Sequence, residues 1–250
     1  MSRKVLVTGG ARGIGAGLVR RLAADGYDVH FTYNASKAPA EALIDEIKSA
    51  KADASLAAHG CDLSDRSAVE TFAKSLEKEP AFWGFVHNAG KSYDSLAAMI
   101  DVDAADSAMQ VNFWSAVRLA KALMRPMMQA RGGRIVLIGS VTATRGNQGN
   151  AIYAATKAAL LGYCKTLATE IARRGVTVNY IAPGYVDTDM LAPYAAFREM
   201  LEKQIPAQRY AKPEDLASVV SFLLSDGAAY VNGAEIAVDG ALSASLGIKR

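Results

Sequence analysis

The stretch that decides the fold is KVLVTGGARGIGAGLVRRL, residues 4–22. It begins with a short apolar run, passes through a turn that contains Gly9, Gly13 and Gly15, and continues with apolar residues at helical spacing. Glycine permits a tight strand-to-helix turn and lets a ligand approach the backbone closely. The N–H groups at the start of a helix favour a phosphate group. The stretch therefore predicts strand–turn–helix structure with an anion site at the turn.

The same alternation of strand and helix continues along the chain. Strand-like apolar runs lie near residues 4–8, 28–33, 54–60, 82–87, 134–139, 176–182 and 235–238, with helical patterns between them. This alternation gives right-handed crossovers and a mostly parallel sheet with helices on both faces. With 250 residues and 51% hydrophobic composition, the chain can bury such a core in one domain. We therefore predict one α/β domain over residues 1–250, a doubly wound parallel sheet of the Rossmann type.

Four polar or turn residues follow predicted strands, namely Thr8, Asn88, Ser140 and Pro183. In open parallel sheets, ligands bind at the carboxyl ends of the strands. We therefore expect these residues to lie along one binding edge.

The clearest candidate for catalysis is YAATK, residues 153–157. If the chain is helical from about Asn150, Tyr153 and Lys157 share one face. A nearby ammonium favours the phenolate, and lowering a tyrosine pKa from ~10 to about 7 requires roughly 4 kcal/mol. We expect Lys157, helped by a bound cationic ring, to supply it. Ser140, which ends an apolar strand, is then placed to orient the carbonyl that Tyr153 protonates.

A second pair with the same spacing, Tyr33 and Lys37, is a useful contrast. It follows a strand-like segment, and Arg20 stands where the serine would be. By itself, either pair is more simply interpreted as a surface aromatic beside a solvated lysine. Only the pair at Tyr153 has a serine at the end of a strand, so we assign catalysis to that pair.

Together these motifs resemble the short-chain dehydrogenase/reductase family over nearly the whole chain. Residues Thr8–Gly15 match its cofactor glycine motif, and residues 88–90 match its N-A-G turn. The positions that fall in the order of its catalytic tetrad are Asn112, Ser140, Tyr153 and Lys157.

The resemblance implies a role for each tetrad residue. Tyr153 is the acid, and Ser140 orients the carbonyl. Lys157 binds the nicotinamide ribose and lowers the tyrosine pKa, whereas Asn112 anchors a proton-relay water. His87 stands where the family usually has asparagine, which puts one supporting hydrogen bond in doubt.

The resemblance also implies a nicotinamide dinucleotide cofactor. Pro183 and Gly184, with Thr188 shortly after, resemble the segment that holds the nicotinamide carboxamide. The expected cofactor-binding residues are Gly9, Arg12, Gly13, Ile14, Gly15, Asn34, Lys37, Asp62, Leu63, Asn88, Ala89, Gly90, Tyr153, Lys157, Pro183, Gly184, Val186 and Thr188.

The end of the second strand favours NADPH over NADH. It reads FTYNASK, residues 31–37, without the carboxylate that NAD-dependent relatives use for the ribose hydroxyls. Arg12 and Lys37 can face a 2′-phosphate, and Asn34 and Ser36 can add neutral hydrogen bonds. The alternative is a loop arginine and a solvated lysine with no ligand.

Asp62 follows the third strand in the sequence CDL, residues 61–63. It resembles the family's adenine contact. Alternatively, Asp62 or Ser64 caps the next helix.

Within the family, residues 134–190 and 205–240 resemble the β-ketoacyl-[acyl-carrier-protein] reductases of fatty acid and related polyketide or polyene synthesis. The segment 241–250 departs from their pattern, which leaves a specialised pathway open. The resemblance implies an NADPH-dependent reduction of a carrier-bound β-ketoacyl thioester by a homotetramer. Two alternatives remain open: a reductase of a free small carbonyl compound, and a non-catalytic regulator that senses NADPH.

Two arginines are candidates for docking the acyl carrier protein. Arg131 and Arg174 each precede a glycine at the end of a long helix and match docking positions of these reductases. The alternative is that each one only interacts favourably with the helix dipole.

A substrate lid is expected at about residues 185–212, the longest stretch outside the alternating pattern. Leu191, Tyr194, Phe197 and Leu201 are spaced to form one apolar helical face, which is typical either of ordinary packing or of a lid over an acyl chain.

Composition and residue spacing argue against nucleic-acid binding, a metal site and membrane association. A net charge of +3 without a basic stripe gives no sign of nucleic-acid binding. Cys61 and Cys164 lie far apart, which favours a reduced cytoplasmic protein. The three histidines lack metal-ligand spacing, so no metal is expected. No signal-peptide pattern and no apolar run of about 18 residues is visible, so no membrane association is expected.

Overall fold

The computed structural model describes residues 2–245. It contains a seven-stranded sheet with all pairings parallel, in the order β3-β2-β1-β4-β5-β6-β7. All seven predicted strands are confirmed to within two residues at each end. They are β1 (Lys4–Val7), β2 (Asp28–Tyr33), β3 (Leu56–Gly60), β4 (Gly84–His87), β5 (Gly133–Ile138), β6 (Val176–Pro183) and β7 (Glu235–Val238).

Helices cover both faces of the sheet. Buried side chains of α1, α2 and α8 form a core on one face, and those of α3, α5 and α6 form a second core on the other. The described helices are α1 (Gly13–Ala24), α2 (Lys37–Ala50), α3 (Arg66–Leu76), α4 (Val102–Met109), α5 (Ser115–Ala130), α6 (Ala151–Ile171), α7 (Arg198–Glu202) and α8 (Pro213–Leu224). The predicted single domain extends over 1–250, and its first residue and residues 246–250 lie outside the described part.

The strand order reverses between β1 and β4. The chain builds outward from β1 through β2 to β3, then returns to β4 and builds in the other direction to β7. Such a switch point opens a crevice at the carboxyl ends of the two strands. Thr8 and Asn88, the residues that follow β1 and β4, lie at this crevice.

The lid segment differs from the expected single helix. A 3₁₀ segment, Asp189–Phe197, contains Pro193 and is followed by the short α7. Proline cannot supply the backbone N–H that a continuous α-helix needs, so the expected apolar face is split. Phe197 is 55% exposed and lies outside the cleft described below, whereas the other three expected lid residues line it, namely Leu191, Tyr194 and Leu201.

Across residues 2–245, no helix combines the length and the apolar character required to cross a bilayer.

Candidate active site

A cleft of about 570 Å³ opens at the carboxyl ends of the central strands. Its wall combines the end of β5, the start of α6, the end of β6 and the lid. The predicted site residues that line it are Ile14, Asn88, Gly90, Ser140, Tyr153, Lys157, Pro183, Gly184, Val186 and Thr188.

The other expected cofactor residues do not line this cleft but follow β1 to β4 at the same edge of the sheet. They are Gly9, Arg12, Gly13 and Gly15 after β1, Asn34 and Lys37 after β2, Asp62 and Leu63 after β3, and Ala89 after β4.

Tyr153 and Lys157 both lie on α6, as the spacing predicts. The Lys157 Nζ atom lies 5.6 Å from the centroid of the Tyr153 ring. This ammonium is only 2% exposed and donates a hydrogen bond of 3.0 Å to the carbonyl oxygen of Ile138, at the end of β5. The lysine is therefore fixed beneath the tyrosine.

The protein groups alone do not lower the tyrosine pKa, so the expected lowering would need the cationic nicotinamide ring as well as Lys157. Burial raises the pKa of Tyr153 to about 12, opposed by a hydrogen bond from Ser140 and increased by the charge of Asp94. Burial also lowers the pKa of Lys157 to about 8. Desolvation is the largest effect on both groups because they are buried together.

Ser140 follows β5 and begins a 3₁₀ turn, Val141–Ala143. Its Oγ accepts hydrogen bonds from the backbone N–H of Thr142 at 3.2 Å and from the Thr142 hydroxyl at 2.9 Å. Its own N–H donates to the hydroxyl of Tyr180 at 2.9 Å. Neither Thr142 nor Tyr180 was predicted, because these contacts depend on the turn and on a residue of the neighbouring strand β6.

Asn112 is fully buried in a π-helical turn, Gln110–Trp114, that leads into α5. Its side-chain amide donates to the Thr156 hydroxyl at 2.9 Å and to the carbonyl oxygen of Lys91 at 3.0 Å, and its Oδ1 accepts from the Lys91 N–H at 2.7 Å. The residue is thus held between the segment after β4 and α6.

His87 connects this turn to the glycine motif. Its Nε2 lies 3.2 Å from the backbone oxygen of Asn112, and its Nδ1 lies 3.1 Å from the hydroxyl of Thr8. A carbonyl oxygen can only accept, so Nε2 donates and Nδ1 accepts from Thr8. Burial, followed by the charge of Lys157, lowers the pKa of His87 to about 3. The residue in doubt at the sequence level therefore makes two hydrogen bonds as a neutral ring.

The glycine turn has the shape that a pyrophosphate requires. Gly13 has φ 54°, and a Cβ on Gly15 would lie 1.9 Å from the carbonyl oxygen of Gly9. The N-cap residue of α1, Arg12, makes no side-chain capping hydrogen bond, so the first N–H groups of the helix remain for an anionic ligand. The side-chain amide of Asn88 braces the turn by donating to the carbonyl of Gly9 at 3.1 Å.

The residues expected at a 2′-phosphate lie at the surface. Arg12, Asn34 and Lys37 are exposed, and Lys37 forms a 3.7 Å ion pair with Glu41 in which both side chains are largely exposed. An exposed pair of this kind contributes little free energy and leaves the ammonium available to a phosphate. Tyr33 ends β2 and Lys37 begins α2, so the second tyrosine–lysine pair does not share a helix.

The capping alternative for Asp62 and Ser64 is wrong. Asp62 accepts from the N–H and hydroxyl of Ser64 at 2.9 and 2.7 Å. The residue that caps α3 is Asp65, which accepts from the N–H of Ser67 at 2.8 Å. A local turn after β3 therefore orients Asp62.

A carboxylate that the sequence did not indicate, Asp94, joins the lid to the catalytic helix. It accepts from the Tyr194 hydroxyl at 2.7 Å and also from the side-chain amide of Asn150, the N-cap residue of α6. The lid is thereby tied to the segment three residues before Tyr153.

Arg131 and Arg174 are exposed and precede the neighbouring strands β5 and β6. A Cβ on Gly175 would come within 2.5 Å of the carbonyl oxygen of Arg131. Neither arginine forms an ion pair with another residue of the described chain. They precede β5 and β6, so they lie at the amino edge of the sheet, opposite the cleft.

Within residues 2–245, no group of three or more His, Cys, Asp or Glu side chains is arranged to hold a metal ion. Cys61 and Cys164 are buried free thiols, and burial raises the pKa of both.

Comparisons with known proteins agree with this geometry. A family model described as enoyl-(acyl carrier protein) reductase matches residues 9–243. The chain is 39% identical over 246 residues to the 3-oxoacyl-[acyl-carrier-protein] reductase FabG of Escherichia coli K12, with 95% of this chain and 96% of that protein covered. It is 37% identical over 247 residues to the 3-oxoacyl-[acyl-carrier-protein] reductase MabA of Mycobacterium bovis, with coverage of 97% and 93%.

A solved structure has a closely similar fold. A Beutenbergia cavernae protein described as an NAD(P)-dependent gluconate 5-dehydrogenase, with bound NADP, has a TM-score of 0.92 and 34% identity, and 97% of each chain is covered.

Proposed function

The chain belongs to the short-chain dehydrogenase/reductase family, and on that basis we propose that it reduces a β-ketoacyl thioester on an acyl carrier protein to the β-hydroxyacyl thioester with NADPH. The observation that carries the proposal is the position of Tyr153, above a buried Lys157 and beside Ser140, in one cleft at the carboxyl edge of the sheet. The names of the FabG and MabA relatives support a carrier-bound substrate.

The chemistry divides between cofactor and protein. Bound NADPH would supply the hydride to the carbonyl carbon. Ser140 donates a hydrogen bond to the carbonyl oxygen, and Tyr153 transfers its proton to that oxygen. The ammonium of Lys157 stabilises the phenolate left on Tyr153. Asn112 is proposed to anchor the water that returns a proton to the tyrosine.

A carbonyl is favoured over an isolated carbon–carbon double bond as the reacting group. The matching family model is described as an enoyl reductase, whereas the FabG and MabA relatives are named as 3-oxoacyl reductases. Ser140 and Tyr153 place two O–H donors beside each other, which suits an oxygen that gains negative charge as the hydride arrives.

For the cofactor, we propose that the glycine turn of residues 9–15 holds the pyrophosphate and that Arg12 and Lys37 face the 2′-phosphate. Asp62 is proposed to contact the adenine. Pro183 to Thr188, at the end of β6, would hold the nicotinamide carboxamide, since this segment lines the same cleft as Tyr153.

For the carrier protein, we propose docking at Arg131 and Arg174, whose free positive charges suit an acidic partner. Six residues of β5 separate this pair from the cleft, about 20 Å at ~3.3 Å per residue. The acyl group of a carrier protein docked there reaches a cleft in one of two ways. It extends along the length of a strand to the cleft of the same subunit, or it enters the cleft of a neighbouring subunit. A homotetramer in the cytoplasm is the proposed working form.

A second candidate function is the reduction of a free small carbonyl compound. The structural similarity to the protein described as a gluconate 5-dehydrogenase favours it, because that protein shares the fold at 34% identity. The regulator hypothesis is disfavoured, since all four tetrad positions are retained in the sequence.

The test is the rate of NADPH oxidation with a β-ketoacyl group presented on a carrier protein or as a free ester of the same length. The proposal expects kcat/KM at least about tenfold higher for the carrier-bound form, since docking adds binding energy. Equal values, or faster turnover of small sugars and cyclic ketones, would favour the second candidate.

A further inference from the structure

Two hydrogen bonds at Ser140 involve Thr142, a residue that has no role in the proposed reaction. A serine hydroxyl has one proton to donate and two lone pairs that accept. In this protein, the N–H and the hydroxyl of Thr142 approach Ser140 Oγ at 3.2 and 2.9 Å. A substrate carbonyl oxygen offers only lone pairs, so Ser140 has to donate its one proton to it, and the Thr142 hydroxyl is then the donor of their shared hydrogen bond.

A Ser140 hydroxyl that donates its proton also agrees with the effect of Ser140 on the pKa of Tyr153. The hydrogen bond between Ser140 and Tyr153 lowers the pKa of Tyr153, against the larger effect of burial. A hydrogen bond lowers the pKa of a phenol when it is donated to the phenolate. The same donated proton is needed at a substrate carbonyl oxygen, which has only lone pairs to offer.

We propose that Thr142 is a positioning residue that fixes Ser140 as a hydrogen-bond donor toward the substrate carbonyl. The inference rests on the proposed carbonyl reduction. Thr142 lines the cleft next to Ser140, and no other partner of its hydroxyl competes within the described residues. A chain from the Thr142 hydroxyl through Ser140 to the carbonyl also strengthens the last hydrogen bond, because each donor polarises the next.

A simpler role for Thr142 is capping of the 3₁₀ turn. Ser140 is the N-cap residue of that turn and accepts from the backbone N–H of Thr142. Any residue but proline provides this N–H, so capping does not need the threonine hydroxyl. A Thr142→Val substitution removes only the hydroxyl and separates the two roles.

Thr144 provides a matched control. It lies in the same turn, is exposed, and its hydroxyl donates only a long 3.4 Å hydrogen bond to the carbonyl oxygen of Val141. Thr144→Val therefore makes the same chemical change two residues away from the position that contacts Ser140.

The experiment compares kcat and KM of Thr142→Val, Thr142→Ser and Thr144→Val, each with and without Ser140→Ala. We expect Thr142→Val to lower kcat roughly three- to tenfold, the effect of one neutral hydrogen bond, with KM for NADPH unchanged. Thr142→Ser and Thr144→Val should match the wild type. With Ser140→Ala present, Thr142→Val should have no further effect, because the threonine acts only through the serine.

Two results would overturn the inference: full activity of Thr142→Val, or the same further loss when Ser140 is already alanine. A crystal structure of Thr142→Val adds a readout other than rate, since the inference expects Ser140 to occupy a second rotamer. A free β-ketoester serves as substrate throughout, so failure of the carrier-bound substrate would reject the proposed function while the Thr142 comparison still gives an answer.

Discussion

At the residue scale, burial decides the charge state of the groups in the cleft. Burial raises the pKa of Tyr153 to about 12 and lowers that of Lys157 to about 8. At neutral pH the tyrosine is therefore protonated and the lysine still carries most of its charge. This is the state that a proton donor in a reduction requires before the reaction starts.

The assignment of Tyr153 gives the first prediction. Tyr153→Phe should lower kcat by about 10²-fold or more, because general-acid transfer contributes that much, while NADPH affinity measured by fluorescence titration stays unchanged. Tyr33→Phe is the control and should leave turnover nearly intact. The assignment fails if the two variants are equally inactive.

His87 gives a prediction about acid stability. Its pKa is about 3 in the folded protein and 6.5 as an ordinary value, so below pH 6.5 the unfolded state binds more protons and stability falls as the pH falls. Between about pH 7.5 and about pH 5, this group alone should cost about 2 kcal/mol of unfolding free energy.

The control for this prediction is His87→Asn, which removes the titrating ring but keeps a donor and an acceptor. Burial also lowers the pKa values of His30 and His59. Both residues are present in the wild type and in His87→Asn, so their contributions cancel when the two proteins are compared. Urea unfolding at the two pH values should show a smaller loss in His87→Asn. Equal losses would mean that His87 does not titrate as a buried neutral ring.

Local spacing predicted some of these residues and not others. Tyr153 and Lys157 lie one helical turn apart, so the sequence alone places them on a common face. His87 bridges Thr8, 79 positions away, and Asn112, 25 positions away. No local pattern encodes such a link, because it exists only once β1, β4 and the π-helical turn are packed together.

At the scale of elements, the strands were predictable because parallel strands covered on both faces are continuous apolar runs. The irregular elements were not. The π-helical turn Gln110–Trp114 and the 3₁₀ segment Asp189–Phe197 depend on tertiary contacts, such as those of Asn112 and of Tyr194 with Asp94. The 3₁₀ segment lines the cleft, and the π-helical turn contacts α6, the helix that carries Tyr153.

The starts of α1 and α2 give the prediction for cofactor preference. NADPH should bind at least about tenfold more tightly than NADH, equivalent to roughly 1.4 kcal/mol. Replacing Arg12 and Lys37 by alanine should weaken NADPH binding and leave NADH binding nearly unchanged, as measured by titration. Equal affinities of the wild type for the two cofactors would reject this assignment.

At the scale of the whole molecule, the proposed catalytic cleft and the proposed docking site lie at opposite edges of the sheet. The cleft lies at the carboxyl ends of the strands, and the arginine pair of Arg131 and Arg174 lies at the amino ends. Each position was predictable from the sequence, but their separation was not, because the nine-residue offset from Arg131 to Ser140 indicates a distance only once most of it is known to be the strand β5.

This arrangement gives the prediction for docking. Reversing both arginines to glutamate should raise KM for a carrier-bound substrate severalfold, because the exposed charges steer an acidic partner, and high salt should reduce the difference. The kcat/KM for a small free β-ketoester should stay almost unchanged, since the pair is remote from the cleft. An equal loss for both substrates would assign the arginines a structural role instead.

The most direct test of the proposed ketone reduction traces the hydride from NADPH into the product. The protein is given a β-ketoacyl carrier protein and NADPH deuterated at the hydride position of its nicotinamide ring, and the product is analysed by mass spectrometry. The proposed reaction yields a β-hydroxyacyl carrier protein with one deuterium on the β-carbon, formed by the wild type and at least about 10²-fold more slowly by Tyr153→Phe. A product without deuterium at that carbon, or equal rates for the two proteins, would contradict it.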